Sequence, residues 1–155
     1  MKISKNIFLE AYKKIIEIRE IEFNILNTFK SNKIFSFLHL SIGQEAVAVG
    51  VSMALSKDDE FLGNHRSHSH FLAKTSNMKS MVREIFGDPD GCCKGYGGSM
   101  HLLDRKKNFL GSIPILGSAI PIASGMAMAN KIMKKKNLMV VFIGDGASEE
   151  GAFYE

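Results

Sequence analysis

The sequence predicts an α/β fold in which helices alternate with the strands of a parallel sheet. The apolar run from Leu138 to Ile143 stops at Gly144-Asp145-Gly146, which is typical of a buried parallel strand that ends at a sheet edge. Segments with helical periodicity precede this run, and glycine-rich loops separate them. Because ligands of open parallel sheets bind beyond the carboxyl ends of the strands, Asp145 is expected at a binding edge.

The composition is that of a globular domain with a sizeable core. The chain has 155 residues, of which 45% are hydrophobic and 23% charged, and its formal net charge is +4. No aromatic residues interleave with the lysine runs at 106–107 and 134–136, so a nucleic-acid partner is not expected. Cys92 and Cys93 are adjacent, which suits neither a disulfide framework nor a metal site. We interpret them as packing residues of a reduced, cytoplasmic protein.

Residues 1–30 predict an amphipathic N-terminal helix. Apolar residues recur at helical spacing from Ile7 to Phe29, and Ser4 is a candidate cap. Four glutamates interrupt any apolar targeting segment: Glu10, Glu17, Glu20 and Glu22. The uncharged segment 109–129 is long enough to span a bilayer, but it contains two prolines and three glycines. We therefore interpret it as a helix of small residues packed inside a sheet protein, and expect no membrane association.

The middle of the chain predicts shorter elements. A helix is expected from about Gln44 to Leu55, an extended piece at residues 61–62, and a histidine-rich turn from Asn64 to His70. A further helix is expected from the capping residue Asn77 to Gly87. Residues 88–99 form a glycine-rich loop whose backbone amides are suited to hold an anion. The loop matches neither a dinucleotide fingerprint nor a phosphate-binding P-loop.

Several residues have two interpretations at this point. A carboxylate between two glycines suits Mg²⁺, although Gly-Asp-Gly also occurs as an ordinary turn after a strand. Arg66 is a candidate phosphate ligand or one half of a surface salt bridge. The spacing of His65, His68 and His70 does not favour a metal cluster, and the last two are equally compatible with structural roles.

Five separated motifs, in this order, resemble the alpha subunit of thiamine-diphosphate-dependent 2-oxo-acid dehydrogenases, the pyruvate and acetoin dehydrogenase group. The motifs are His39-Leu40-Ser41-Ile42-Gly43-Gln44-Glu45-Ala46, His65-Arg66-Ser67-His68, Gly95-Tyr96-Gly97-Gly98-Ser99-Met100-His101, the segment from Gly111 to Pro121, and Gly144-Asp145-Gly146. The resemblance covers essentially the whole chain. It implies a three-layer, parallel-sheet thiamine-diphosphate-binding fold, present here as a single incomplete domain over 1–155 that is truncated after the Gly-Asp-Gly strand.

The resemblance implies that Asp145 ligates Mg²⁺, which in turn holds the diphosphate of the cofactor. Gly144, Gly146 and Ala147 would then supply backbone that approaches the cofactor closely. The family's second magnesium ligand is one of a pair of asparagines that does not occur in this sequence.

The resemblance also assigns the other residues of the site. His65 and Arg66 would contact the diphosphate, and Leu116 would be the apolar wedge that bends the cofactor. Pro114, which stands where family members commonly have glycine, would offer its carbonyl to the pyrimidine ring. His39 maps to a histidine near the reacting carbon, where it is a candidate catalytic proton donor or partner of the substrate carboxylate.

The implied activity is oxidative decarboxylation of pyruvate, acetoin or a similar short 2-oxo compound, with acyl transfer to a lipoyl carrier. The implied partners are a beta subunit in a heterotetramer, which supplies the glutamate that activates the aminopyrimidine, and a lipoyl-bearing acyltransferase. We expect the chain to be the N-terminal part of an alpha subunit, inactive by itself and a weak binder of thiamine diphosphate. Two alternatives remain: a subunit of a transketolase-like lyase or synthase, and a degenerate subunit that serves only in assembly.

Overall fold

The computed structural model describes residues 3–31, 33–34 and 36–155. At the centre of this described part is a parallel sheet of three strands, β1 (Glu60–Gly63), β2 (Phe109–Ser112) and β3 (Met139–Val141). Strand β1 lies in the middle and pairs in parallel with both β2 and β3. The predicted α/β class with a parallel sheet is therefore confirmed.

Seven α-helices are seen among the described residues. They are α1 (Lys5–Lys30), α2 (Glu45–Ala54), α3 (His68–Thr75), α4 (Met78–Ile85), α5 (Ala119–Ile132), α6 (Asp145–Ser148) and α7 (Gly151–Tyr154). Ser4 caps α1 by accepting from the Ile7 amide at 3.3 Å, and Asn77 caps α4 by accepting from the Ser80 amide at 3.3 Å. The first two residues of the predicted 1–30 helix lie outside the described residues.

Successive side chains of β1 point to opposite faces of the sheet, and a helix lies against each face. The Phe61 ring lies below the ammonium of Lys74 on α3, with Nζ 4.7 Å from the ring centroid. On the other face, the Glu60 carboxylate accepts from the side-chain amide of Asn130 on α5 at 2.5 Å. The result is a three-layer arrangement, with α3 on one side of the sheet and α5 on the other.

The hydrophobic core lies between the sheet and helices α1–α4. Phe71 of α3 meets Phe109 of β2 edge-on at 5.3 Å between ring centroids. The buried cluster around them is Ile18, Ile25, Ile34, Val49, Phe61, Leu72, Met81, Ile85, Leu102 and Phe142. The core therefore holds the first four helices together on one side of the sheet.

The segment 109–129 is not one helix, and that interpretation was wrong. Its first residues form β2, whose Phe109 is fully buried and paired with Phe61 of β1, and the helix α5 begins only at Ala119. Gly111 within β2 has φ +153°, a conformation that strongly favours glycine. None of the described helices combines the length and the apolar composition that crossing a bilayer requires.

The predicted histidine turn is also shorter than expected. The turn is closed by Asn64 Oδ1, which accepts from the Arg66 amide at 2.8 Å, and α3 begins at His68. His68 and His70 lie on the buried side of α3. Because both are polar residue types, the sequence pattern did not indicate that this segment is a helix facing the core. Strand β3 is likewise shorter than the predicted run 138–143, and its residues are half-buried rather than fully buried.

Candidate functional site

A cavity of about 390 Å³ lies at the carboxyl ends of β1 and β3. Its lining is Gln44, Val47, Asn64, His65, Arg66, His70, Phe142, Ile143, Gly144 and Asp145. Four predicted site residues are thus brought together: His65 and Arg66 after β1, and Gly144 and Asp145 after β3. They meet because neighbouring parallel strands deliver their following loops to the same edge of the sheet.

His39 lies next to this cavity through its contact with His65. The two imidazole rings meet edge-on, with centroids 5.5 Å apart. The Nδ1 atoms of both rings are buried and lack a hydrogen-bond partner among the described residues. Because buried polar atoms are nearly always paired, these nitrogens indicate a place for a ligand or for ordered water.

Arg66 brings a fixed positive charge to the cavity. One guanidinium nitrogen, Nη1, donates to the Leu40 carbonyl at 2.8 Å, which orients the side chain and leaves further N–H groups of the five-donor fork. Among the ion pairs of residues 3–31, 33–34 and 36–155, none involves Arg66. The contacts therefore favour a ligand-binding role over a surface salt bridge.

The two histidines that line the cavity are held in the neutral form. Burial lowers the pKa of His65, and the positive charge of Arg66 and the neighbouring His39 lower it further. Burial lowers the pKa of His70 to about 3, with a smaller contribution from His68. The positive charge of the cavity near neutral pH is consequently that of Arg66, while the histidines offer neutral donors and acceptors.

Asp145 is the first residue of α6, and its side chain is exposed. A Cβ atom added at Gly144 or Gly146 would meet no described atom within 4 Å. Packing within the described chain therefore does not require glycine at either position, and the open space suits a close approach of a ligand to the backbone. Ala147 is only 3% exposed and anchors the short helix below the carboxylate.

Pro114 and Leu116 lie outside this cavity. Both are in the connection between β2 and α5, where Pro114 is half-buried and Leu116 is 52% exposed. The structure therefore brings together residues predicted to contact the diphosphate and the metal, whereas the two residues predicted to contact the rings of the cofactor lie apart from them. Their roles remain predictions.

The glycine-rich loop does hold an anion, but that anion is a side chain of the same protein. The carboxylate of Glu84, fully buried at the end of α4, accepts from the backbone amides of Cys93, Gly95, Gly97 and Gly98 at 2.6, 3.0, 2.7 and 3.3 Å. The amides therefore hold an anion as expected, and the carboxylate of Glu84 occupies the place that an external anion would take. His101 orders the same loop through a ring nitrogen 3.2 Å from the Gly97 carbonyl.

Cys92 and Cys93 lie beside the same carboxylate, and their sulfur atoms and a Glu84 oxygen are within 4.8 Å of one another. Burial raises the pKa of Cys92 to about 12 and raises that of Cys93 as well. Because metal ligation requires the thiolate and Glu84 already accepts four amides, this cluster is poorly suited to a cation. Cys92 packs against the hydrophobic core.

Sequence reasoning missed several residues that line the cavity. Phe142 and His70 stack with ring centroids 3.9 Å apart and form one wall, and Gln44 and Val47 at the start of α2 line another part. The position of Phe142, two residues before Gly144 of Gly-Asp-Gly, was a usable signal. The participation of α2 was not, because no local pattern indicates which distant helix packs beside a strand end.

A parallel sheet with a cationic loop after one strand and a carboxylate after the neighbouring strand is the arrangement of an α/β ligand-binding domain. The chain belongs to the Dehydrogenase E1 component family, whose model matches residues 13–155. The resemblance stated from the motifs is confirmed. Over 147 residues the chain is 42% identical to the alpha subunit of acetoin:2,6-dichlorophenolindophenol oxidoreductase of Bacillus subtilis, covering 95% of this chain and 44% of that protein.

Subunits of pyruvate dehydrogenase are similar as well. The chain is 36% identical over 152 residues to the pyruvate dehydrogenase E1 component subunit alpha of Rhizobium meliloti, covering 98% of this chain and 44% of that protein. It is 36% identical over 159 residues to the chloroplastic subunit alpha-3 of Arabidopsis thaliana, covering 99% of this chain and 37% of that protein. The chain thus spans less than half the length of these relatives.

Proposed function

We propose that this chain forms the cofactor-binding part of the alpha subunit of a thiamine-diphosphate-dependent 2-oxo-acid dehydrogenase that acts on pyruvate, acetoin or a similar short compound. The observation that carries the proposal is the convergence of His65, Arg66 and Asp145 on one cavity at the carboxyl ends of β1 and β3. The names of the relatives, which are alpha subunits of acetoin and pyruvate oxidoreductases, support the same reaction class.

The residues around the cavity fit the diphosphate and magnesium end of this cofactor. Arg66 offers a planar fork that matches phosphate oxygens, and Asp145 offers the hard oxygen ligand that Mg²⁺ prefers. The buried, unpartnered Nδ1 atoms of His39 and His65 are consistent with a polar ligand beside them. Bound there, thiamine diphosphate would supply an electron sink for the negative charge that develops at the carbon carrying the oxo group.

The protein's own residues bind the cofactor, orient it and keep water out of part of the cavity. Arg66, held by the Leu40 carbonyl, binds phosphate oxygens, and neutral His65 adds a hydrogen bond without a second charge. The stacked Phe142 and His70 form an apolar wall that keeps water from one side of the cavity. His39 holds a proton on a ring nitrogen and delivers it to, or withdraws it from, the substrate beside His65.

The remaining assignments extend the proposal toward the rest of the assembly. Leu116 acts as the apolar wedge and the Pro114 carbonyl receives the pyrimidine, with a beta subunit covering the face on which Leu116 is exposed. The full complex is a heterotetramer that passes the acyl group to a lipoyl-bearing acyltransferase. The chain is one cofactor-binding domain of a cytoplasmic complex, and it is inactive without its partner.

Replacing Arg66 with Ala tests the diphosphate contact. We expect the dissociation constant of thiamine diphosphate with Mg²⁺, measured by calorimetry on the alpha–beta assembly, to rise by about tenfold to a hundredfold, because a charge-assisted hydrogen bond is lost. The matched control is Arg83→Ala, since Arg83 pairs with Asp88 and Asp90 on the surface away from the cavity. Equal affinities of the two variants would contradict the proposal.

Replacing Asp145 with Asn tests the metal ligand. The amide keeps the shape of the side chain but removes its charge, so we expect weaker binding of Mg²⁺ and a higher magnesium concentration for half-maximal cofactor binding. Titration of the assembly with MgCl₂ at fixed thiamine diphosphate measures this. Glu149→Gln, also in an exposed position but outside the cavity lining, is the control. An unchanged magnesium requirement in Asp145→Asn would exclude the assigned role.

A further inference from the structure

A chain of buried hydrogen bonds connects α1 and α3 to the glycine-rich loop. Glu22 Oε1 lies 2.6 Å from Nδ1 of His68, and Nε2 of His68 lies 2.8 Å from the Ser99 hydroxyl. Glu22 and His68 are 0% exposed and Ser99 is 1% exposed. Such a network is energetically tolerable only if each of its polar atoms has a partner.

One assignment of protons satisfies every atom of the chain. The Nδ1–H of His68 donates to Glu22, so that Nε2 accepts from the Ser99 hydroxyl. The Ser99 oxygen in turn accepts from the backbone N–H of His39 at 3.0 Å. The series of hydrogen bonds formed by these three side chains therefore reaches the backbone amide of His39, the residue that lies against His65.

The same network also holds the polypeptide backbone at Ser41, two residues after His39. The second oxygen of Glu22 accepts from the Ser41 amide at 2.7 Å. Between the two anchored amides lies the Leu40 carbonyl, which accepts from Arg66. The segment from His39 to Ser41 is therefore held from the protein interior at both ends and presents its middle carbonyl to the cavity arginine.

We infer that Glu22, His68 and Ser99 are positioning residues, which set the backbone of His39 and the orientation of Arg66 at the cavity. The inference rests on the proposed function only for the chemical role of His39. The order of carboxylate, imidazole and hydroxyl is that of a hydrolytic triad, but a Ser99 oxygen that is 1% exposed and accepts from the His39 amide cannot reach a substrate. Its hydroxyl therefore acts on the backbone and not as a nucleophile.

Replacing Ser99 with Ala tests the inference in the 155-residue chain by ¹⁵N NMR. We expect the backbone amide resonance of His39 to move. We also expect the proton of His68 to be shared between Nδ1 and Nε2 instead of residing on Nδ1 alone. The matched control is Ser112→Ala, which also removes a buried hydroxyl with two hydrogen bonds, to Ser67 Oγ at 2.5 Å and to the Leu102 amide at 3.3 Å. A His39 amide that is unmoved, or moved equally by the control, overturns the inference.

Glu22→Gln supplies the same test if Ser99→Ala does not fold. The carboxamide presents N–H groups as well as one oxygen, so it cannot accept from both His68 and Ser41. We expect His68 to carry its proton on Nε2 in this variant and the His39 amide to move as in Ser99→Ala. Retention of the proton on Nδ1 with an unchanged His39 amide overturns the inference.

In the alpha–beta assembly, Ser99→Ala is expected to lower kcat about tenfold, because misplacement of a reacting group affects the chemical step. KM and the melting temperature are expected to change no more than they do in Ser112→Ala. A fall in stability without a fall in kcat beyond the control would show a merely structural role and contradict the inference. Failure of the wild-type assembly to bind thiamine diphosphate would contradict the proposed function, while the NMR result would still decide the positioning role.

Discussion

Replacing Glu84 with Ala is expected to lower the free energy of unfolding by about 4 kcal/mol, because four backbone N–H groups then lose their shared acceptor in a buried site. The loop is packed closely against the residues that follow α4. Gly95 has φ +81° and lies so close to Gly87 that a Cβ atom would meet the Gly87 carbonyl at 2.5 Å. The glycine-rich loop is therefore expected to lose its fixed conformation together with the ends of α4.

Urea unfolding followed by circular dichroism measures this effect. Glu20→Ala is the control, since Glu20 is an exposed glutamate of α1 whose replacement is expected to change the free energy of unfolding little. Glu84→Gln retains one acceptor oxygen and is expected to fall between the wild type and Glu84→Ala. A loss below about 1 kcal/mol in Glu84→Ala would show that solvent replaces the carboxylate and that the loop does not depend on it.

Acidification is expected to destabilise the native chain through His70. Burial lowers the pKa of this histidine from 6.5 to about 3 in the folded state, so the unfolded chain takes up a proton that the folded chain does not. The stabilising contribution is fully present above about pH 6.5 and is lost as the pH falls toward 3. By pH 5 the loss amounts to about 2 kcal/mol relative to pH 7.

The variant His70→Phe isolates this contribution, because a phenyl ring can retain the stack on Phe142 and cannot be protonated. The difference in unfolding free energy between wild type and His70→Phe should therefore shift by about 2 kcal/mol between pH 7 and pH 5. His101→Phe, at an exposed position, should keep the acid dependence of the wild type. A pH-independent difference between wild type and His70→Phe would mean that His70 binds its proton equally well in the folded and the unfolded chain, and would contradict the lowered pKa.

The elements that the sequence predicted correctly are those with strong local signals. Ser4 and Asn77 bind the amides of their own helices, and Gly87, with φ +75°, follows the end of α4 as a stop residue should. The family resemblance implied that Arg66 and Asp145 lie close together, and both stand in segments that follow strands of the parallel sheet. That they line one cavity agrees with this expectation.

The expectations that failed involve partners far away in the chain. Phe109 looked like the start of a helix, and its backbone became a strand because β1, nearly fifty residues earlier, supplies the pairing amides and carbonyls. Glu22 was noted only as one of four glutamates that interrupt any apolar targeting segment, and no local pattern marked it for burial. It is instead fully buried, because His68 and Ser41 satisfy its oxygens.

The sequence by itself determined the α/β class, most of the helices and the charged residues that follow the strands, because helix periodicity, capping and strand order are local or one-dimensional properties. Tertiary structure alone decided that the amides of the glycine-rich loop bind Glu84 and that a buried carboxylate, imidazole and hydroxyl end on the His39 backbone. A hydrogen-bond acceptor is chosen by proximity in space, and the packing of α1, α3 and α4 against one another sets that proximity.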